Sequence, residues 1–397
     1  MKQVTTKKTN WRQYFPWFKL HKNLVYLDNA ATSLKPLAMI KKVNWYLENV
    51  NALATINPLT KNDEIANKCF KDSKKTLAKF LQANENEVLY STGSTASLNF
   101  IANLLYDQLK PGDEIVIHYM EHGSNLLPWY KLRDRKQIKI VLVGKEEVIP
   151  TPQLYANAIT DKTKIVAFAG ASNLLANWVD VKKVVASVKA INPDIWCVVD
   201  ATQQLEHFPA NCHQTNCDFL VGSAHKLVGP TGLGFTYISK NAQQRLNFDL
   251  KAYEISHYAD YDMPAIVGFD TSLQLWMKIG YSNIIKHEQV LKEYFLKHVD
   301  LTKIVLYTPS VNSPLITFNV FNDKHQIIDG QDIEYYLDKK GIFCRSSLSC
   351  AKLACYPLRA HSVVRASVMF YNNRSDIDKL IKAINDFKPG DELNGLV

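Results

Sequence analysis

Lys226 stands in the run VGSAHKLVGPTGLG (221–234), just after an apolar segment, beside His225 and ahead of a glycine-rich turn. A lysine that attacks a carbon centre must be neutral. Burial and a neighbouring cation such as His225 both push it that way. Gly229-Pro230-Thr231-Gly232 lets the backbone turn sharply beside it. Other reactive side chains fall at comparable places. TGSTAS (92–97) puts Ser94 and Thr95 at the opening of a helical segment, where free amides and the helix dipole suit a phosphate; Ser and Thr also cap helices with no ligand at all. Asp200 closes the apolar run WCVV (196–199), and Ser223 and His225 close the next. Ser172-Asn173 and Glu121-His122 follow two earlier runs.

A phosphate cradle, a carboxylate and a lysine at strand ends meet the needs of pyridoxal 5′-phosphate. The lysine forms a Schiff base with the aldehyde. The carboxylate keeps the pyridine nitrogen protonated, so that the ring draws electrons, and N–H and O–H donors hold the phosphate. His122 has the alternative of a packing histidine, Asn173 of a turn former and Arg345 of a surface ion-pair partner.

These residues can converge only if the runs carrying them lie side by side. Strands are expected at 87–90, 114–118, 164–168, 196–199, 219–221 and 235–238, with helical segments such as 180–190 between them. Buried β-branched strands alternating with helices define an α/β class with a largely parallel sheet, whose ligands sit at the carboxyl ends of the strands. Beyond about 275 the pattern changes. An amphipathic helix at 283–299 is followed by strands at 303–307, 314–321 and 364–369 and helices at 331–340 and 375–387. The expected division is a large α/β domain over 25–275 and a small α+β domain over 276–397, joined by residues 1–24.

The 397 residues suffice for roughly two or three domains. No apolar run approaches the ~18 residues of a membrane span, and the basic N-terminus lacks the apolar core of a secretory signal. The net charge of +9 is spread in pairs such as Lys41-Lys42 and Lys182-Lys183 rather than gathered in a stripe, so neither nucleic acid nor membrane is an expected partner. Seven cysteines, an odd number, point to a reducing, cytoplasmic setting. Cys212-His213 and Cys217 lack a second ligand pair at zinc spacing, and no metal is expected.

The chain resembles the cysteine desulfurases of the class V aminotransferase superfamily, in particular the SufS-like (group II) members. The resemblance rests on YLDNAATSLKP (26–36), GDEIVIHYMEHGSN (112–125), SNLL (172–175), VVDATQ (198–203), DFLVGSAHKLVGPTGLG (218–234), GIFCRSSLSCAK (341–352) and VVRASVMFYN (363–372). It implies the type I fold of pyridoxal-phosphate transferases, with a seven-stranded sheet. Lys226 would bond the cofactor, Asp200 would pair with its ring nitrogen, Gln203 would contact its hydroxyl, and His122 would stack on the ring and relay protons. Ser94, Thr95, Ser223 and His225 would hold the phosphate. Asn173 and Arg365 would hold the substrate carboxylate, with Arg345 near the catalytic loop, and Cys350 would accept sulfur. The implied reaction converts L-cysteine to L-alanine and leaves a persulfide on Cys350. The implied partners are a second copy of the chain and a sulfur-acceptor protein such as an iron–sulfur scaffold.

Three segments depart from that pattern. NVNALATINP (49–58) lacks the Arg and His usual there, Leu348-Ser349 replaces two histidines before Cys350, and GFDTSL (268–273) looks shortened, with Thr271 as the substitute for a threonine that reaches the partner subunit's phosphate. These departures keep a degenerate sulfur-transfer scaffold as an alternative, beside a selenocysteine lyase and a class V aminotransferase, the last of which would have no need of Cys350.

Overall fold

A computed structural model describes residues 10–147 and 149–393. Its strands are β1 (Val25–Tyr26), β2 (Val88–Ser91), β3 (Glu114–His118), β4 (Lys139–Val143), β5 (Thr163–Ala169), β6 (Trp196–Asp200), β7 (Phe219–Ser223), β8 (Gly234–Ile238), β9 (Ile304–Leu306), β10 (Leu315–Val320), β11 (Ile342–Phe343), β12 (Arg345–Ser346) and β13 (Val364–Ser367). Seven form one sheet in the order β2-β8-β7-β6-β5-β3-β4. The pairs β3–β4, β3–β5, β5–β6 and β6–β7 are parallel, and β8 runs antiparallel to both neighbours. The sheet is therefore mostly parallel, as the α/β pattern predicts.

Both faces of this sheet are buried, and successive side chains enter different cores. Val166, Phe168, Cys197, Val199 and Leu220 join one cluster. Ile165, Ala167, Trp196, Val198 and Phe219 join the other. The edge strand β4 is not among the expected strands. Its exposed Lys139 and its half-buried residues 140–142 weaken the apolar run.

A four-stranded antiparallel sheet, β12-β13-β10-β9, has its own core, in which Ile316, Phe318 and Val364 pack with Leu291, Phe295, Ile377 and Leu380. The helix Met263–Ile279 runs through residue 275 and packs on the helices Leu37–Asn49 and Lys61–Leu81. Gly280, at φ +77°, separates it from the helix Tyr281–His298, which packs on Arg374–Asp386. Thr271 thus lies inside a helix, its hydroxyl donating to the Val267 carbonyl.

The N-terminal segment is bound to the C-terminal one. Phe15 stacks within 4.4 Å of the Tyr371 ring. Arg12 pairs with Asp376 at 2.7 Å, and β1 lies parallel to β11. Residues 1–9 of the expected joining segment lie outside the described residues.

Gly234 is the tightest backbone approach near the strand ends. A Cβ there would stand 2.5 Å from the Gly93 Cα and 2.8 Å from the Gly222 carbonyl oxygen. Those atoms are main chain and cannot rotate away. Gly234→Ala should cost about 1–3 kcal/mol, read as a lower denaturant midpoint at unchanged slope.

Candidate active site

The carboxyl ends of the parallel strands open into one cavity of about 1000 Å³, and every site residue expected from the sequence lines it. One wall is the start of the helix Ser94–Leu104, preceded by Gly93 at φ +146°. The Ser94 amide donates to Ser223 Oγ at 3.0 Å, and that hydroxyl donates to Ser94 Oγ at 2.9 Å, tying the helix to the end of β7. Added Cβ atoms at Gly93 and Gly232 would meet nothing within 4 Å, so the backbone here borders open space. Thr95 and His225 complete this wall. Small residues, hydroxyl groups and a helix N-terminus around a vacant volume suit a phosphate group.

Lys226 follows β7 in the single turn Ala224–Lys226. Its Nζ donates to the Ala30 carbonyl at 2.5 Å and to Gln203 Oε1 at 3.3 Å. Its side chain faces the cavity but is otherwise enclosed. Enclosure lowers its ammonium below the ordinary range, Arg365 adds to this, and Glu206 and Asp200 oppose it. The peptide before Lys226 is held firmly. The His225 carbonyl accepts from the Ser33 amide at 3.0 Å, Ser33 Oγ at 2.7 Å and Lys35 Nζ at 3.0 Å. Burial pushes Lys35 itself down to about 7.

Asp200 ends β6 and accepts from the Thr202 amide at 3.0 Å. The Thr202 hydroxyl nearby has no partner. His122 Nδ1 lies 3.1 Å from the Ser124 amide and 2.7 Å from Ser124 Oγ. An amide can only donate, so Nδ1 is the acceptor and the neutral ring carries its proton on Nε2. Burial lowers the basicity of His122 against the opposing charge of Asp200, and Lys226 and Arg365 add to the lowering.

The other wall comes from the C-terminal unit. Arg365, on β13, is 2% exposed. It donates to the Asn173 carbonyl at 2.7 Å and lies 3.5 Å from Asp28 Oδ1, and its Nε has no partner. Arg345 is half-exposed and makes a two-pronged contact with Asp28 Oδ2, at 3.1 and 2.6 Å. Asn173 donates through Nδ2 to the Ser349 carbonyl at 2.8 Å and keeps Oδ1 unpartnered. Cys350 is exposed. It stands at φ +68° in a loop where Ser347 and Ser349 are also left-handed, at +89° and +43°. The Cys350 carbonyl accepts from the Gly123 amide at 2.9 Å. The loop is thus strained yet fastened on both sides to segments that flank the cavity. Cys344 is buried between β11 and β12, and Cys355 opens the short helix Cys355–Leu358.

The donor set fits pyridoxal phosphate: an anion cradle, a strand-end carboxylate and an enclosed lysine of lowered basicity surround one cavity of ligand size. Sequence reasoning missed Asp28, which holds both arginines, and Glu206, fully buried three residues after Gln203. The only signal for Asp28 was its place in YLDNAATSLKP. No metal-ligating cluster occurs among the described residues.

The model of the class-V aminotransferases matches residues 25–380. The chain belongs to that family. Within it, the chain is 38% identical to a probable cysteine desulfurase of Ureaplasma parvum, covering 98% of this chain and 100% of that one. It is 31% identical to a probable cysteine desulfurase of Borreliella burgdorferi, covering 91% of each. The fold is that of the apo cysteine desulfurase of Thermococcus onnurineus NA1, with a TM-score of 0.87 at 23% identity, over 97% of this chain and 100% of that one.

Titration of the cofactor-free chain, followed by histidine ring resonances, should give His225 a midpoint of about 4, because burial and then the charges of Lys226 and Lys35 disfavour its cation. A midpoint at 6.5 or above would mean that the cavity wall is far wetter than the geometry indicates. The sign follows from linkage: the unfolded chain takes up this proton first, so His225 weakens the fold as pH falls from about 6.5 towards 4.

Proposed function

We propose that the protein is a pyridoxal-phosphate-dependent cysteine desulfurase of the SufS-like group. It would turn L-cysteine into L-alanine and deliver the sulfur through a persulfide on Cys350. The observation that carries this reading is the exposed Cys350 on the rim of the same cavity as Lys226, Asp200 and Arg365. A transaminase cavity has no use for that thiol. The intact cradle and the enclosed lysine speak against a scaffold that has lost its chemistry.

In this reading Ser94, Thr95, Ser223 and His225 hold the cofactor phosphate. Asp200 would pair with its ring nitrogen, Gln203 would contact its hydroxyl, His122 would lie against the ring, and Lys226 would bond the aldehyde. When bound, the cofactor supplies an electron sink for the bonds around the substrate α-carbon. Arg365 has an unpartnered Nε and Asn173 an unpartnered Oδ1 at the same wall. The guanidinium would take the substrate carboxylate and fix which α-bond faces Lys226. Lys226, once free, removes the α-proton, an act that its lowered basicity favours near neutral pH. His122 offers the Nε2 proton on the opposite side of its Ser124 contact. The Cys350 thiolate attacks the substrate sulfur. The new S–S bond forms as the C–S bond breaks, and the carbon keeps the electron pair until a proton replaces it.

The wider setting belongs to the same proposal. Leu37, Leu47, Leu53, Ile56 and Leu59, all exposed within 23 residues of chain, support a homodimer. The seven free cysteines support a reducing cytoplasm. The exposed thiol supports transfer to an acceptor such as an iron–sulfur scaffold. The division into units 25–275 and 276–397 is supported by the small sheet's own core, although Met369, Phe370 and Tyr371 pack into the larger one, and Gly280 is the point where one helix gives way to the next.

Lys226→Ala should carry no cofactor mass on the chain after borohydride reduction, whereas the parent protein should carry one. Cys350→Ser should keep the bound cofactor and its visible absorbance and lose alanine production from cysteine by roughly 10²-fold or more. Turnover at the parent rate would remove Cys350 from the reaction and favour the lyase or aminotransferase alternatives.

A further inference from the structure

Beneath the cavity floor lies a line of buried polar groups that the reaction above does not use. Glu206, in the short helix Gln204–His207, is 0% exposed. Its Oε2 accepts from Gln203 Nε2 at 2.6 Å and stands 3.3 Å from His207 Nε2. His207 is also 0% exposed, and its Nδ1 lies 3.1 Å from both carboxylate oxygens of Glu288, on the helix Tyr281–His298. Burial opposes the imidazolium, yet Glu288 and Glu206 hold it up to about 9. At neutral pH an imidazolium therefore lies between the carboxyl groups of Glu206 and Glu288. Gln203 is the hydrogen-bonded link from this group to the cavity.

We infer that Glu206 is a positioning residue for Lys226: it fixes the Gln203 amide with its carbonyl towards the lysine, and it supplies fixed negative charge beneath the lysine's ammonium. A carboxylate only accepts hydrogen bonds, so the Gln203 NH₂ must face Glu206 and Oε1 must face Lys226 Nζ, 3.3 Å away. Without Glu206 the amide could turn over and present a donor to a donor. Glu206 Oε1 is buried with no partner, so the charge is not spent on another hydrogen bond.

The other groups around the pair are known. Lys226 also feels Arg365, Asp200 and Asp28, with His122 and His225 on the same cavity. Glu206 also acts on Lys35, Arg365, Tyr26 and Tyr371. Among the carboxylates acting on Lys226, Glu206 has the largest effect.

The inference rests on Lys226 as the lysine that bonds the cofactor and moves the proton, and its test is chosen to stand apart from that reading. The full-length chain, freed of cofactor, is labelled with trace acetic anhydride across a pH series, and acetylation of Lys226 is measured by mass spectrometry, with exposed Lys75 as internal control. Glu206→Gln leaves His207 and Glu288 as a neutral pair. It should lower the pH of half-maximal Lys226 labelling by about one unit, which is about tenfold faster labelling below the midpoint, with Lys75 unchanged. Glu206→Met, of similar length, should give the same shift, and Glu206→Asp, which keeps the charge, a smaller one. An unchanged midpoint in a folded variant would overturn the inference. So would failure of both neutral variants to fold, since Glu206 would then be a folding residue. Loss of desulfurase activity in the parent protein would leave this labelling result intact, so the two readings fail separately.

Discussion

Lowering the basicity of a lysine enclosed in protein is the constraint around which the site is organised. Lys226, Lys35, Arg365 and Arg345 converge on one region, and desolvation alone would drive the buried members of that group to shed protons or unfold the chain. An arginine does not deprotonate, so its charge must be matched. Asp28 takes that part, facing Arg345 through one oxygen and Arg365 through the other. The lysines are treated differently. Lys35 contacts only neutral oxygens and is held close to neutrality. Lys226 has a carbonyl and an amide oxygen as contacts and carboxylates at one remove. The chain thus sorts its cations: guanidinium groups are matched for permanence, ammonium groups are left poised.

Among the cysteines, Cys350 is set apart by its exposure and its left-handed backbone. Arg345 and Arg365 line the same cavity as this thiol. In the structure both guanidinium groups are engaged with Asp28, so much of their charge is already answered. Access and strain remain as the distinguishing features of Cys350. Cys197, Cys212, Cys217 and Cys344 are buried, and burial raises their thiols and disfavours the thiolate.

What was legible in the sequence follows from range. Strand alternation and small-residue turns are local signals, and they located most strands of the large sheet and the residues at their carboxyl ends. Lys139–Val143 escaped because an edge strand is only half-buried, and Arg345–Ser346 because two residues carry no period. Glu206 escaped for another reason. In QLEH a glutamate reads as the solvent side of a helix, and its contact with His207, itself held by Glu288 81 residues further along, lies inside the protein. Asp28 sits in a motif that marks the family, yet its partners lie more than 300 residues away. Charge pairing across such distances has no signature in spacing.

That distance has a consequence for how the protein comes into being. Asp28 and Arg345 are 317 residues apart, and β1 pairs with β11. At ribosomal speeds of about 5–20 residues per second, Asp28 waits roughly 16–60 s before its partners emerge. In that interval the large sheet, complete by Ile238, can form, and Lys226 can take its place at the strand end. The wall bearing Arg365 cannot. A nascent chain would therefore own a cradle and a lysine before it owns the means to hold a substrate. Cofactor capture can begin during synthesis, whereas catalytic competence arrives only with the last strand.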